Sequence, residues 1–129
     1  METIEGNRLI AEFMGYSLRK IDGEMEWDYN PIDNPHGSYP TLRLPICGTS
    51  ENNLRFHESW DWLMPVVEKI DSLLMDDKFV TVQMNRTLIE MPEHGLTIEG
   101  LGDSWIEAAY NAVVEFIQWY NKKQITYEN

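Results

Sequence analysis

The spacing of apolar positions alternates along the chain between a period near 3.6 and a period near 2, and so predicts three helices and five strands. Leu9, Ile10, Phe13 and Met14 fall at i, i+1, i+4 and i+5 on one face of a short helix, with Asn7 placed to cap it and Gly15 to close it. Met25, Trp27 and Tyr29 then alternate with Glu24, Glu26 and Asp28. Just before them stands Asp22-Gly23, a pair suited to a type I′ turn, in which both central residues need positive φ. A hairpin of 18–21 with 24–29 is expected, apolar on one face of its second strand and lined with carboxylates on the other.

A second helix follows from Leu63, Val66, Val67, Ile70 and Leu74, which form one continuous stripe. Pro65 limits where it begins, because an interior proline loses a hydrogen bond and clashes with a carbonyl, at about 3 kcal/mol or more. With Asp61 as N-cap, Pro65 takes the fourth helical position; with Ser59 as cap, the first turn must kink. Trp60 and Trp62 stand at the helix entrance in both cases, at least one of them as a core anchor. Residues 79–84 and 87–91 read as strands joined at Asn85-Arg86, and Pro92 to Gly95 turns the chain into a third strand, Leu96 to Glu99. Ser104 and Glu107 have capping-box spacing, and the last helix is expected to run to about Asn121. Trp105, Ala109, Ala112, Val113, Phe116 and Tyr120 make its stripe, widened by Ile106, Tyr110, Val114 and Ile117. A helix so apolar is expected to pack centrally, or on a second copy of the chain as well, giving a homodimer through the 104–121 helix.

Residues 30–54 lack either period, being punctuated by four prolines and by Gly37 and Gly48. A loop of that length in a compact domain binds something or covers a core; within it, 41–46 can form a short edge strand. The element order therefore predicts a single α+β domain over 1–129, a two- or three-layer sandwich of three helices on a small, mostly antiparallel sheet. Its second half has the element order of a double-stranded RNA-binding domain.

Charge removes that function. The chain carries 22 acidic against 10 basic residues, and cutting it after Met64 leaves 11 acidic and 5 basic residues on each side. The acidity is therefore spread over the surface, and a phosphate backbone finds too few cationic partners for direct nucleic-acid binding. A single cysteine, Cys47, excludes an intrachain disulfide framework and a zinc cluster, which fits a reducing compartment. The carboxylates of 24–28 lack the EF-hand spacing, so no metal or other cofactor is expected. No leader pattern opens the chain and no apolar run approaches the ~18 residues of a membrane span, so a soluble, cytoplasmic protein is expected.

Three segments, Asn7 to Gly15, Ser59 to Ile70 and Ala112 to Asn121, resemble the small phage-associated proteins grouped as the phage ABA sandwich domain. They cover about a third of the chain and are packing motifs. The resemblance implies a sandwich fold and a phage or prophage setting in a bacterial cytoplasm, with no activity or site residues attached. Two functions follow as expectations. The first is a non-catalytic accessory protein that binds a protein partner through an acidic, aromatic-bearing surface, in its sharpest form as a DNA-mimicking inhibitor. The residues singled out as binding candidates are Glu24, Glu26, Trp27, Asp28 and Tyr29 on the hairpin, with His57, Trp60 and Asp61 at the helix entrance. The alternative is a small enzyme or ligand-binding domain with its pocket at 57–62, where His57, Glu58 and Asp61 supply titratable groups.

Overall fold

A computed structural model describes residues 3–29, 49–50, 53–74, 79–91 and 95–128. The fold is α+β, in the order α1 (Thr3–Phe13), β1 (Tyr16–Ile21), β2 (Glu24–Tyr29), α2 (Trp60–Leu74), β3 (Phe79–Val82), β4 (Arg86–Met91), β5 (Leu96–Leu101) and α3 (Trp105–Glu128). The strands divide between two antiparallel sheets, β1-β2 and β3-β4-β5, where one small sheet was expected. By internal contacts the chain separates into two compact units, Met1–Pro65 and Val66–Asn129, with the boundary inside α2. Cys47 and most of the 30–54 loop, with its expected edge strand, lie outside the described residues.

In the first unit α1 begins at Thr3, five residues earlier than expected, and Asn7 is inside it rather than at its cap. The reason is visible in the buried positions: Asn7, Ile10, Ala11 and Met14 recur at i, i+3, i+4 and i+7, so Asn7 occupies the core stripe. Gly15 closes the helix as expected, with φ at 95° and its N–H donating to the Glu12 carbonyl. The hairpin also forms as its turn chemistry dictates. Asp22 and Gly23 have φ of 52° and 87°, both positive as a type I′ turn requires, and Ile21 pairs with Glu24. The outer edge of β2 is engaged by a short segment, since Trp27 N–H donates to Thr49 O and Glu26 bridges Ser50.

At the start of α2 the Ser59 carbonyl accepts from the N–H groups of Trp62 and Leu63, at 3.2 and 3.0 Å. Ser59 is therefore the N-cap, not Asp61, and Pro65 lies in the second turn with the helix assigned continuously across it. Pro65 has no N–H and so leaves the Asp61 carbonyl without its helical donor. Trp62 is buried and meets Phe56 edge-on at 5.3 Å, whereas Trp60 remains at the surface.

The second unit is a three-stranded meander under α3. Thr87, Ile89 and Met91 of β4 alternate inward, as do Ile98 and Gly100 of β5, and the pairs Thr87–Gly100 and Ile89–Ile98 share the covered face. The β3–β4 turn is centred on Met84-Asn85, one residue earlier than expected, because Gln83 N–H donates to Arg86 O at 2.8 Å. Arg86 consequently belongs to β4, where it pairs with Leu101 in the backbone and its side chain meets Glu99 at 2.6 Å.

Helix α3 begins at the expected cap, with Glu107 N–H donating to Ser104 Oγ at 3.2 Å, and continues to Glu128, past the expected end. No glycine or proline follows Asn121 to stop it. Ala108, Ala109, Ala112, Val113, Phe116 and Ile117 are buried. Trp105, expected in the same stripe, is 50% exposed: it lies in the first turn, ahead of Ala108, where the helix meets β5. Tyr110 and Val114 are buried as well, so the widened stripe is covered as expected, and Glu107, Asn111 and Glu115 form an exposed polar stripe.

A Cβ on Gly100 would lie 2.7 Å from Ala112 Cβ and closer still to the backbone of Ala108 and Ala112. Gly100→Ala should therefore destabilise the protein by at least about 2 kcal/mol, since backbone rather than a pliable side chain must move; urea denaturation measures this. Lys69 on α2 is half-buried, and desolvation pushes its ammonium down to about 8. Its folded value is thus below the unfolded one, so the ammonium costs stability at neutral pH, and that cost fades as pH rises from about 8 toward 10.5. Lys69→Met should stabilise by about 1 kcal/mol at pH 7, after discounting for the exposed fraction, and the gain should shrink by pH 10 in urea melts.

Candidate functional site

All eight residues singled out from the sequence fall in the first unit, on β2, at the start of α2 or, for His57, in the turn just before it. Glu24 is exposed and Glu26 half-buried. Trp27 is 1% exposed, which removes it from any contact surface and makes it core: it pairs with Leu18 across the hairpin, on the face opposite Glu24 and Glu26. The register sets Asp28 opposite Ser17 and Tyr29 opposite Tyr16, and their side chains are outside those described. It also sets Arg19 opposite Glu26 in the register. At the helix entrance Asp61 is exposed in the first turn of α2, where a carboxylate complements the helix dipole, and Trp60 is 36% exposed.

His57 is held from an unexpected direction. The buried Asn7 amide donates one N–H to Leu54 O at 3.1 Å, and the same nitrogen lies 3.1 Å from His57 Nδ1. The Leu54 carbonyl can only accept, so it fixes which end of the amide carries the hydrogens. Nδ1 must then accept as well, and the proton of the neutral ring sits on Nε2. That Nε2 is 3.8 Å from Glu58 Oε2, while Arg55 Nε donates to Glu58 Oε1 at 2.9 Å. The basic lone pair of His57 is therefore turned inward to Asn7, and the outward nitrogen is a donor. A general base at 57–62 would have to break this contact first. Among the described residues, no group of three His, Cys, Asp or Glu side chains is placed to hold a metal ion, and no helix is long and apolar enough to cross a membrane.

A concave site lies elsewhere in the same unit, where α1 packs on β1. It is an open cleft of about 370 Å³ lined by Arg8, Glu12, Tyr16, Ser17, Leu18 and Trp27. Tyr16 and Trp27 are nearly fully buried core residues, while Arg8 and Glu12 are exposed. Arg8 and Glu12 are one helical turn apart and so share a face of α1, adjacent to the face that buries Asn7 and Ile10. No member of this group was singled out in the sequence except Trp27. The i, i+4 spacing of Arg8 and Glu12 was the available signal, but only the fold brings them beside Ser17 and Leu18 of β1.

In comparisons with known proteins, no family model, no curated protein and no solved structure matches the chain.

Asn7→Ala strands the Leu54 carbonyl and releases His57, and should cost about 1–3 kcal/mol in thermal or urea unfolding. Nitrogen-detected NMR of the neutral His57 ring should show protonated Nε2 and bare Nδ1 in the wild type, with the preference weakened in Asn7→Ala.

Proposed function

We propose that the chain is a non-catalytic accessory protein, of phage or prophage origin and acting in a bacterial cytoplasm, that binds a protein partner through acidic surface on its first unit. The observation that carries this reading is the pair Trp60 and Met64, 36% and 40% exposed, one turn apart on α2 and flanked by the exposed Asp61. Large apolar side chains left at the surface of an acidic protein are the usual anchors of an interface, tryptophan above all. Met25, 40% exposed between Glu24 and Glu26 in sequence, repeats the combination on the hairpin. With a net charge of −12 distributed along the chain, a partner with a basic contact surface is favoured over a nucleic acid or a second copy. A DNA-mimicking inhibitor is one such protein. The catalytic alternative at 57–62 loses support from the inward lone pair of His57.

Immobilised protein should capture a partner from bacterial host lysate at low salt and less of it at high salt. The surface variant Trp60→Ser/Met64→Ser should fold normally and lose the capture. Absence of any partner at both salt concentrations, or capture unchanged by the double substitution, would overturn the reading.

A further inference from the structure

We infer that the outer edge of β5 takes up an antiparallel strand from another protein, an extended segment in which lysine or arginine alternates with apolar residues. Two backbone bonds fix which way β5 faces. Gly102 N–H donates to Asn85 O next to the register pair Arg86–Leu101, and Gln83 N–H donates to Arg86 O between β3 and β4. Bonded pairs alternate in an antiparallel ladder, so Ile98 and Gly100 turn their main-chain groups to β4, whereas Thr97, Glu99 and Leu101 turn theirs away from the sheet. All three are exposed, Leu101 by 59%. The Leu101 carbonyl agrees with this direction, since the Asn111 amide of α3 donates to it at 2.6 Å. Among the described residues no strand pairs with this edge, and β5 contains neither the proline nor the lysine that commonly closes an edge to pairing.

The backbone defines the class of occupant, because donors and acceptors in ladder register match an extended polypeptide. The side chains define its chemistry. α3 runs back along β5, with Gly102 against Glu107 and Gly100 against Ala108 and Ala112. The Asn111 contact therefore sets the exposed stripe of α3, Glu107, Asn111 and Glu115, on the side that borders the open edge. The next basic residue on that side, Lys122, comes two turns after Glu115. A strand added antiparallel to β5 bonds it through alternate residues, whose side chains share the outer sheet face with Thr97, Glu99 and Leu101. Those positions suit apolar residues, since Leu101 is open there and Glu99 is already held by Arg86. The residues between them point to the α3 side, where Glu107 and Glu115 favour lysine or arginine. A second copy of the chain is disfavoured, because it brings the same carboxylates to the same place.

The test titrates the full-length protein at low salt with a blocked peptide in which lysine and valine alternate over seven residues, following amide shifts by NMR. Shifts should saturate and centre on residues 97–101 and the first turns of α3, with a dissociation constant on the order of 1 mM. N-methylation of the valine amides, the ones that bond β5, should abolish binding, and N-methylation of the lysine amides should change it by no more than ~2-fold. Glutamate in place of lysine should also abolish it, and serine in place of valine should weaken it at least ~3-fold. Thr97→Pro removes an outward N–H and leaves the bonds to β4 in place, so that variant should fold and lose the peptide. Glu107→Gln/Glu115→Gln should weaken binding at least ~3-fold. Trp60→Ser/Met64→Ser should leave it unchanged, so the reading that rests on Trp60 and Met64 is tested separately. No saturable shift, equal binding of the peptide N-methylated at valine, or equal binding of the glutamate peptide overturns the inference. So does concentration-dependent self-association through 97–101 in the free protein, which would make the edge a contact between copies.

Discussion

Where β5 passes beneath α3, Gly100 offers no side chain and Ala112 offers only a methyl group, so sheet and helix backbones meet almost directly. Much of the second unit follows from that approach. Ala108 and Ala112 line the contact, and Ala109 with the larger Val113, Phe116 and Ile117 is buried along the same helix. Each of the larger side chains contributes on the order of 2 kcal/mol by leaving water. Because only alternate strand residues face the helix, fixing Gly100 inward also fixes Ile98 inward and Glu99 outward. By pairing it then fixes Thr87 and Ile89 on β4. The cross-strand ion pair of Arg86 with Glu99 lies on the opposite, exposed side as a result.

The first unit uses a polar contact where the second uses close packing. Asn7 sits in the apolar stripe of α1 and ties that helix to the segment before α2 through the Leu54 carbonyl and the His57 ring. A buried amide is costly without partners, and the Oδ1 atom of Asn7 is buried without a hydrogen bond among the described residues. What the arrangement supplies is specificity, since the amide nitrogen meets the Leu54 carbonyl and the His57 ring together. The same helix turns Arg8 and Glu12 toward the hairpin, so α1 connects the core of the unit to its cleft.

Acidity and exposed apolar side chains shape the functional reading more than any titratable pair does. Glu58, whose carboxylate is 3.8 Å from His57, is engaged by Arg55, and His57 presents a donor outward. Structure thus converts a cluster that looks chemical in one dimension into a helix cap, a dipole partner and a tautomer lock. The surface that remains, Trp60 with Met64 beside Asp61 and Met25 between Glu24 and Glu26, suits recognition by contact and charge.

Local chemistry alone determined a good part of this protein. The Asp22-Gly23 turn, the Gly15 stop, the Ser104 cap and the alternation of β4 and β5 depend on neighbours within a few residues, and each formed as its sequence required. The α+β class follows from those periods. Tertiary structure decided whatever depended on distant partners. Asn7 looks like a cap until Leu54 and His57, 47 and 50 residues away, claim its amide. Trp27 and Trp60 look alike as aromatic residues beside carboxylates, yet one is core and the other surface, since burial depends on what packs above each ring. The cleft was not legible at all, because a concavity is made by the distance between a helix and a strand, and no spacing along a single chain encodes that distance.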